Sequence, residues 1–293
     1  ARMNHHHAMT RSAHAVLILL TLAAIVPFVL LIIASFTDNN VAITEGFSFF
    51  PSKWSTDAYQ YIVNEKDTML RAYGITIVVT LIGTTLGLLI SVMLAYSLAN
   101  SDLPGRNFMT FFVTLTMLFN GGLVPTYLIY TNVFHIKDTL AALIVPNLLM
   151  NGFNVILIRN YFATGVPTVL YEAARIDGAS EFYIFYRIAL PLSKPILATV
   201  GLLMGIAYWN DWQNGLYYLN DTSLYSIQNI LNRINENISF LASNSTSGVK
   251  ISDLPTSTIR MAIAVIGILP IVCIYPFFQE YFVRGIAVGA VKG

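Results

Sequence analysis

Residues 139–217 read TLAALIVPNLLMNGFNVILIRNYFATGVPTVLYEAARIDGASEFYIFYRIALPLSKPILATVGLLMGIAYWNDWQNGLY. The two ends of this stretch differ in kind from its middle. Residues 139–160 and 195–217 are almost free of charge and long enough to cross a hydrocarbon core, which needs about 20 predominantly apolar residues per helix. Between them, 161–194 is amphipathic, charged and punctuated by Pro and Gly. Pro167 suits a helix start, and the spacing predicts a helix from Thr168 to Asp177 with Ala173 and Ala174 at its centre. Gly178 supplies its C-terminal cap. Ser180 then caps a second short helix through Arg187, stopped by Leu190-Pro191. Too short to span and too patterned for a plain linker, the segment reads as a helix–turn–helix at a membrane surface. One reading is an interfacial helix resting on headgroups, an element that usually carries large apolar anchors. Two alanines beside one carboxylate, Glu172, suit instead a knob that enters a groove on a partner protein.

Working outward, further apolar runs occupy 15–36, 74–99, 107–130 and 257–279. The predicted fold class is therefore an all-α polytopic membrane protein with six transmembrane helices, in contact with membrane lipid. Composition agrees: 56% of the 293 residues are hydrophobic and 11% charged, against about 45–50% and about 25% in soluble domains. A net charge of +1 provides no basic field for nucleic acid. The single cysteine, Cys273, lies inside an apolar run, which excludes disulfide staples and cysteine metal sites. Residues 1–14, with His5, His6 and His7, read as a cytoplasmic leader, native or tag-derived, rather than a metal site. Residues 15–293 read as one transmembrane domain with a surface loop at 161–194, an outer loop at 213–257 and a tail at 280–293. With the N-terminus inside, nine Lys and Arg, among them Arg106, Arg159, Arg175, Arg187 and Lys194, fall on the inner side in short loops and tails, against seven outside, Lys53, Lys66, Arg71, Lys137, Arg233, Lys250 and Arg260. The excess of positives in short cytoplasmic loops predicts that both termini are cytoplasmic.

Within the spans, Gly83, Gly87 and Ser91, and again Gly201 and Gly205, form small-residue rows that let helix backbones approach in lipid. Polar residues in spans usually face a bundle interior or a water-filled cavity. Asn147, Asn151 and Asn154 fall at i, i+4 and i+7, one face of the predicted fourth helix. Their amides suit sugar hydroxyls, and interhelical hydrogen bonding is the other reading. Asn210, Asp211 and Trp212, beside Tyr208 and Trp209, combine aromatic and polar groups as a carbohydrate path would. The aromatics also suit a membrane interface, and Asp211 a helix cap. Asn120, Gly121 and Gly122 interrupt the third span, as a cavity-lining bend or a packing defect. The outer loop offers either partner contact or a flexible spacer.

Glu172-Ala173-Ala174, three residues, Gly178, nine residues, then Ile188, Ala189, Leu190 and Pro191 meet every fixed position of the pattern EAA-x3-G-x9-I-x-LP. This resembles the signature of the permease subunits of ATP-driven, binding-protein-dependent importers. RIDGAS around Asp177 and the tail GIAVGAVKG, from Gly285 to Gly293, resemble the MalG-type permeases of carbohydrate importers. FNGGLVPTYL, from Phe119 to Leu128, and Asn210 to Trp212 are similar to the LplC-like branch, associated with polysaccharide-derived oligosaccharides. The resemblance implies a bacterial inner-membrane permease paired with a second, MalF-type permease subunit, two ATP-binding subunits and an extracytoplasmic sugar-binding protein. It implies that the first helix of the loop docks in a cleft of an ATPase subunit through Glu172, with Gly178 fixing the turn. It also implies that the tail, with Lys292, reaches between the two ATPase subunits. The oligosaccharide substrate on this reading is a uronate type such as alginate, and neutral oligosaccharides remain open.

No G-x-x-x-x-G-K-[ST] loop is present to cradle phosphates, and no catalytic motif appears. The chain therefore reads as a non-enzyme that binds no cofactor, with ATP-Mg used by partner ATPase subunits. The competing reading is an ion-gradient-driven secondary transporter. That would need intramembrane acidic or His relays, which the spans lack apart from Asp211 near an end.

Overall fold

A computed structural model describes residues 2–243 and 256–290, with side chains for 13–236 and 257–279. About 78% is helical. Among the described residues the one extended pairing is the isolated bridge between Thr37 and Trp54. The chain divides into two compact units, residues 1–69 with 231–269 and residues 70–230 with 270–293.

In the first unit, helix Arg2–Ser35 is apolar over Ala13–Ser35. Residues 13–29 are all exposed, so their apolar surface is available to lipid or to another chain. Beyond it, Asp38 caps helix Asn39–Thr44 by accepting from the Asn40 N–H at 3.0 Å and pairs with Lys53 at 2.7 Å. The Lys53 ammonium and the Asn40 and Val41 amides hold the Asp38 carboxyl below its ordinary value. Ser35 and Tyr59 share a hydrogen bond at 2.8 Å, and Phe36 stacks on the Tyr59 ring.

The second unit is organised around two apolar helices that lie against each other. Helix Lys66–Ala99, 34 residues long, packs on helix Lys194–Trp209. A Cβ at Gly83 would lie 2.4 Å from the Tyr208 ring, and one at Gly87 would lie 2.3 Å from Met204 Cε and 2.9 Å from the Leu149 carbonyl oxygen. The predicted small-residue row is thus a seat for Tyr208, Met204 and the Leu149 backbone. Gly201 and Gly205 are less constrained, with ordinary contact distances of 3.5 and 3.6 Å to Leu88 and Thr84. Toward one end, Val92, Leu98, Val155, Ile158, Phe162, Ile196 and Val200 form a closed apolar core. Toward the other, Val79, Leu143, Ile144, Tyr208, Tyr218 and Leu219 form a second.

Among the described residues, three helical segments are long and apolar enough to cross a membrane: Ala13–Ser35, Lys66–Ala99 and Ser257–Gln279. These correspond to predicted spans 15–36, 74–99 and 257–279. Pro27 and Pro270 sit inside continuous helices, so neither interrupts its span. The other three predicted spans are not single rods. Span 107–130 divides into Arg106–Leu118 and Leu123–Val133, bent by 115°, because Asn120 Oδ1 accepts from the Gly122 N–H at 2.9 Å and Gly122 takes φ +90°. Span 139–160 divides into Leu140–Ile144 and Gly152–Thr164, broken at Pro146 and at Asn147 with φ +62°. Span 195–217 ends at Trp209 after 16 residues, about 24 Å at about 1.5 Å per residue, and a turn at Asn210–Trp212 leads into Gln213–Tyr218.

Of the segment predicted as the outer loop, residues 213–243 are described, and they include helix Ile227–Ser243. The Ile227 N–H donates to buried Thr76 Oγ1 at 3.0 Å. Asp138 clasps the loop that follows Tyr218. It accepts from the Asp221 N–H at 2.9 Å and from the Asn220 N–H, while its own N–H donates to the Tyr218 carbonyl at 3.0 Å. The Asp221 and then the Asn220 backbone amides hold the Asp138 carboxyl below its ordinary value of 3.8.

Two outcomes follow from this packing. Gly83→Leu should overpack the Tyr208 seat, at a cost of about 1–3 kcal/mol, and lower the melting temperature of the detergent-solubilised protein, whereas Gly205→Ala should leave it within the error of the wild type. Because the folded-state carboxyl of Asp138 is depressed, its clasp contributes fully above the ordinary value and is lost as pH falls through the lowered one. Proteolytic cleavage at 219–226 should therefore accelerate below pH 3.8 in the wild type, and at neutral pH in Asp138→Ala.

Candidate coupling loop and broken-span cavity

The loop helix runs from Thr168 to Ile176 after Pro167, with no buried residue. Glu172 and Ala173 are exposed and Ala174 is half-buried. Asp177 is the C-cap, and Gly178 follows at φ +79°, a region an L-residue enters at a cost of about 1–2 kcal/mol. The Ala179 N–H donates to the Ala174 carbonyl at 2.9 Å and the Gly178 N–H to the Arg175 carbonyl at 3.0 Å. This pair of bonds is a Schellman closure, in which glycine at the turn satisfies carbonyls the helix end leaves open. Predicted Gly178 is thereby placed in the role its position suggested.

Ser180 Oγ accepts from the Tyr183 N–H at 3.3 Å and starts the next helix, also as predicted. That helix does not stop at Leu190-Pro191. It continues as a π turn over Phe185–Ala189 and then through Leu190–Leu192. Proline has no N–H and its ring clashes with the carbonyl four residues back. The π turn relieves this: Leu190 N–H reaches the Phe185 carbonyl, five residues back. The break falls instead at Ser193, where the chain turns by 79° into Lys194–Trp209.

Two contacts that sequence reasoning missed hold the loop to the helices around it. Glu181 Oε1 accepts from Arg175 Nε at 2.8 Å, and Glu181 Oε2 accepts from the Tyr96 hydroxyl at 3.1 Å. The Tyr96 ring meets Phe162, Tyr171 and Phe185 at centroid distances of 5.6, 6.5 and 5.0 Å. The Glu181 bond raises the Arg175 guanidinium above its ordinary value, and burial pushes the Tyr171 hydroxyl up to about 12. Because both members of the ion pair are substantially solvated, the pair contributes only about 0–1 kcal/mol. Its effect is geometric. The only legible signal was a carboxylate six residues after Arg175, while the partner Tyr96 lies 85 positions away. A cavity of about 500 Å³ lies beside these groups, lined by Asp102, Thr168, Tyr171, Glu172 and Arg175 among others. On the opposite flank Ala173, Ala174, Asp177, Gly178 and Arg187 line a more open groove.

The asparagine face predicted for the fourth span does not exist as a helical face, because Pro146 ends the first segment before all three asparagines. Asn147 sits in the left-handed turn. Asn151 caps helix Gly152–Thr164, accepting from the Phe153 and Asn154 N–H groups at 2.9 and 3.3 Å. Asn154 is buried in that helix's first turn. The break brings Asn147 and Asn151 to one cavity of about 660 Å³, with Thr116, Met117, Tyr130, Leu149 and Phe153; Asn154 does not line it. Irregular backbone at membrane depth persists only where it is buried in protein or lines a cavity, and here it lines one. Tyr208 hydroxyl donates to the Ile144 carbonyl at 2.9 Å, and Asn214 Nδ2 donates to the Pro146 carbonyl at 3.0 Å.

Asp211 Oδ1 accepts from the Gln213 and Asn214 N–H groups at 3.2 and 3.3 Å, the capping role. Asn210 Nδ2 donates to the Ile206 carbonyl, and its Oδ1 accepts from Gln228 Nε2. The Trp212 carbonyl accepts from Asn229 Nδ2 at 2.8 Å. Trp209 is buried against Tyr73 rather than placed at a lipid interface. Asn120 serves the bend of the third span and is exposed. Lys292 lies outside the described residues. Among the described residues no group of three His, Cys, Asp or Glu could hold a metal ion.

Among the described residues, long apolar helices, an exposed capped loop and a broken-span cavity fit the class of membrane transport permeases. The chain belongs to the family of binding-protein-dependent transport system inner membrane components, whose profile matches residues 87–288. It is similar to Protein LplC of Bacillus subtilis (strain 168), with 38% identity over 269 residues covering 92% of this chain and 90% of that protein. It is also similar to the polygalacturonan/rhamnogalacturonan transport system permease protein YtcP of the same organism, at 36% identity over 277 residues, 94% of this chain and 96% of that one. Among solved structures it matches a chain of a bacterial ABC transporter involved in the import of the acidic polysaccharide alginate. That match has a TM-score of 0.77 and 29% identity, covering 94% of this chain and 96% of the other. These relations support an ATP-driven importer over an ion-gradient transporter. They imply a partner permease, ATPase subunits and a substrate-binding protein.

Asn214→Leu should remove one of the two donors to the Pro146 carbonyl, which keeps the Leu148 N–H at 2.8 Å, at a cost of about 0.5–1.5 kcal/mol. Thermal unfolding in detergent should show that loss, and cysteine labelling at 147 should accelerate as the break loosens.

Proposed function

We propose that this chain is one half of a heterodimeric permease that imports uronate-containing oligosaccharides, paired with a MalF-type subunit and driven by two ATP-hydrolysing partners. The observation that carries the docking part is the exposed helix Thr168–Ile176, which presents Glu172, Ala173 and Ala174 and is closed by the Gly178 turn. Small residues beside one carboxylate fit a groove, and the rigid closure makes the helix a knob rather than a tether. In this reading both termini are cytoplasmic, the loop docks on an ATPase subunit, and the Lys292 tail reaches between the two ATPases. ATP-Mg is bound by those partners. The Asp138 clasp and helix Ile227–Ser243 then face the extracytoplasmic sugar-binding protein.

Two of the similar proteins are described by polyuronate-related substrates, which supports an acidic oligosaccharide. The lining of the cavity at Asn147 and Asn151 carries no charged side chain. Its amides and the Tyr130 ring suit the hydroxyl edge and apolar face of a sugar ring, so this chain reads ring shape and leaves carboxylate recognition to the partner permease and the binding protein. Asn210, Asp211 and Trp212 act by holding the turn beside that path, and Asn120 by shaping the bent third span.

The test is uptake of a labelled galacturonate tetramer by vesicles containing the complete complex, with a maltotetraose of equal length as competitor. Uptake should require ATP, persist when the ion gradient is collapsed, and resist the neutral competitor. Gly178→Val should lower uptake at least tenfold, and Glu172→Ala should lower it severalfold. Uptake that survives Gly178→Val with the ATPase subunits still bound would sink the docking assignment, and equal transport of maltotetraose would sink the substrate class.

A further inference from the structure

Glu181 occupies a position that the docking reading alone does not use. It is the first residue of helix Glu181–Ile184, and its two carboxylate oxygens are committed to two different elements. Oε1 holds Arg175 in the last turn of helix Thr168–Ile176, and Oε2 holds Tyr96 near the end of helix Lys66–Ala99. A third element enters through the rings, since Tyr96 packs on Phe162 and Phe185 as well as on Tyr171. The loop helix otherwise runs between Pro167 and the Gly178 turn with no fully buried residue, and Tyr171 is the ring it packs on Tyr96. A helix packed through one ring can still roll about that contact unless a second contact fixes it. The Arg175 bond fixes its roll, and the carboxylate that makes this bond is itself pinned to Tyr96.

We propose that Glu181 is a positioning residue, a strut that carries displacement of helix Thr168–Ile176 into helix Lys66–Ala99. This rests on the docking reading of the loop. Coupling between sites is carried by contiguous packed and hydrogen-bonded groups that move between discrete arrangements, and Arg175–Glu181–Tyr96 is the polar link between these two helices. The cost of ordering it is low and its stability contribution small, so its removal should spare assembly while loosening transmission. The geometry also ranks the substitutions. Gln retains one acceptor for Arg175 and an amide that can donate to the Tyr96 hydroxyl, so it preserves the link without the charge. Ala abolishes it.

The experiment uses the complete complex, both permease subunits and both ATPases, in lipid. Cys273 is the single cysteine and is exposed, so it accepts one spin label. A second label is placed at exposed Val169 in the loop helix, or at exposed Ile90 in helix Lys66–Ala99. ATP-Mg with vanadate should shift both distances in the wild type. Glu181→Ala should keep the shift at 169 and lose at least half of the shift at 90, and Glu181→Gln should restore it. Tyr96→Phe, which retains the ring and removes one bond, should fall between the two. A Glu181→Ala complex that shifts both labels like the wild type overturns the strut, as does a Gln variant as defective as Ala. If Glu181→Ala loses its ATPase subunits while Tyr96→Phe shifts like the wild type, the role is structural and the strut is again overturned. A wild-type label at 169 that ignores ATP-Mg would show that the docking reading itself has failed.

Discussion

The hydroxyl of Tyr208 donating to the carbonyl of Ile144 is the contact on which the second unit of this permease turns. A helix broken inside a membrane leaves carbonyls that water cannot reach, and each costs several kcal/mol unless another group satisfies it. Here the break at Pro146 and Asn147 is supported by Tyr208 and Asn214 from the opposite side. Tyr208 can lie there only because position 83 lacks a side chain. The small-residue row, the buried tyrosine and the irregular backbone are one arrangement, and the cavity at Asn147 and Asn151 is its consequence.

The two candidate regions are built on opposite principles. The cavity is held by buried, neutral hydrogen bonds, each of which contributes about 0.5–1.5 kcal/mol. The loop is held by a solvated ion pair of small net energy, by rings around Tyr96 and by a glycine turn. The first kind of contact fixes a shape that must not collapse in lipid. The second holds an element in register with its neighbours while its outer face stays exposed.

Much of the loop was legible in the sequence because its determinants are local. Pro167, Gly178 and Ser180 each act on backbone groups within a few residues, so spacing alone places them. The fourth span was misread for the complementary reason. Asparagines at i, i+4 and i+7 share a face only if the helix is continuous, and Pro146 with a positive-φ Asn147 ends it. Span length misled in the same way at 107–130 and 195–217, where hydropathy continues through bends of the backbone. Leu190-Pro191 was expected to stop a helix, and the π turn before it showed how a chain can pass a proline by shifting one carbonyl.

By itself the sequence determined that this chain lives in a membrane, that it is helical, and that residues 161–194 form a capped surface element of the importer-permease kind. Apolar run length, turn chemistry and a spaced signature are local or compositional properties, and no knowledge of partners in space is needed to read them. The tertiary structure alone decided which asparagines share a cavity, that Asp211 caps a helix, that Tyr208 and Asn214 close the broken span, and that Glu181 ties the loop to Tyr96. Those pairings join residues 64, 68 and 85 positions apart. They depend on how helices approach through their glycines, and that approach is set by packing rather than by the order of residues along the chain.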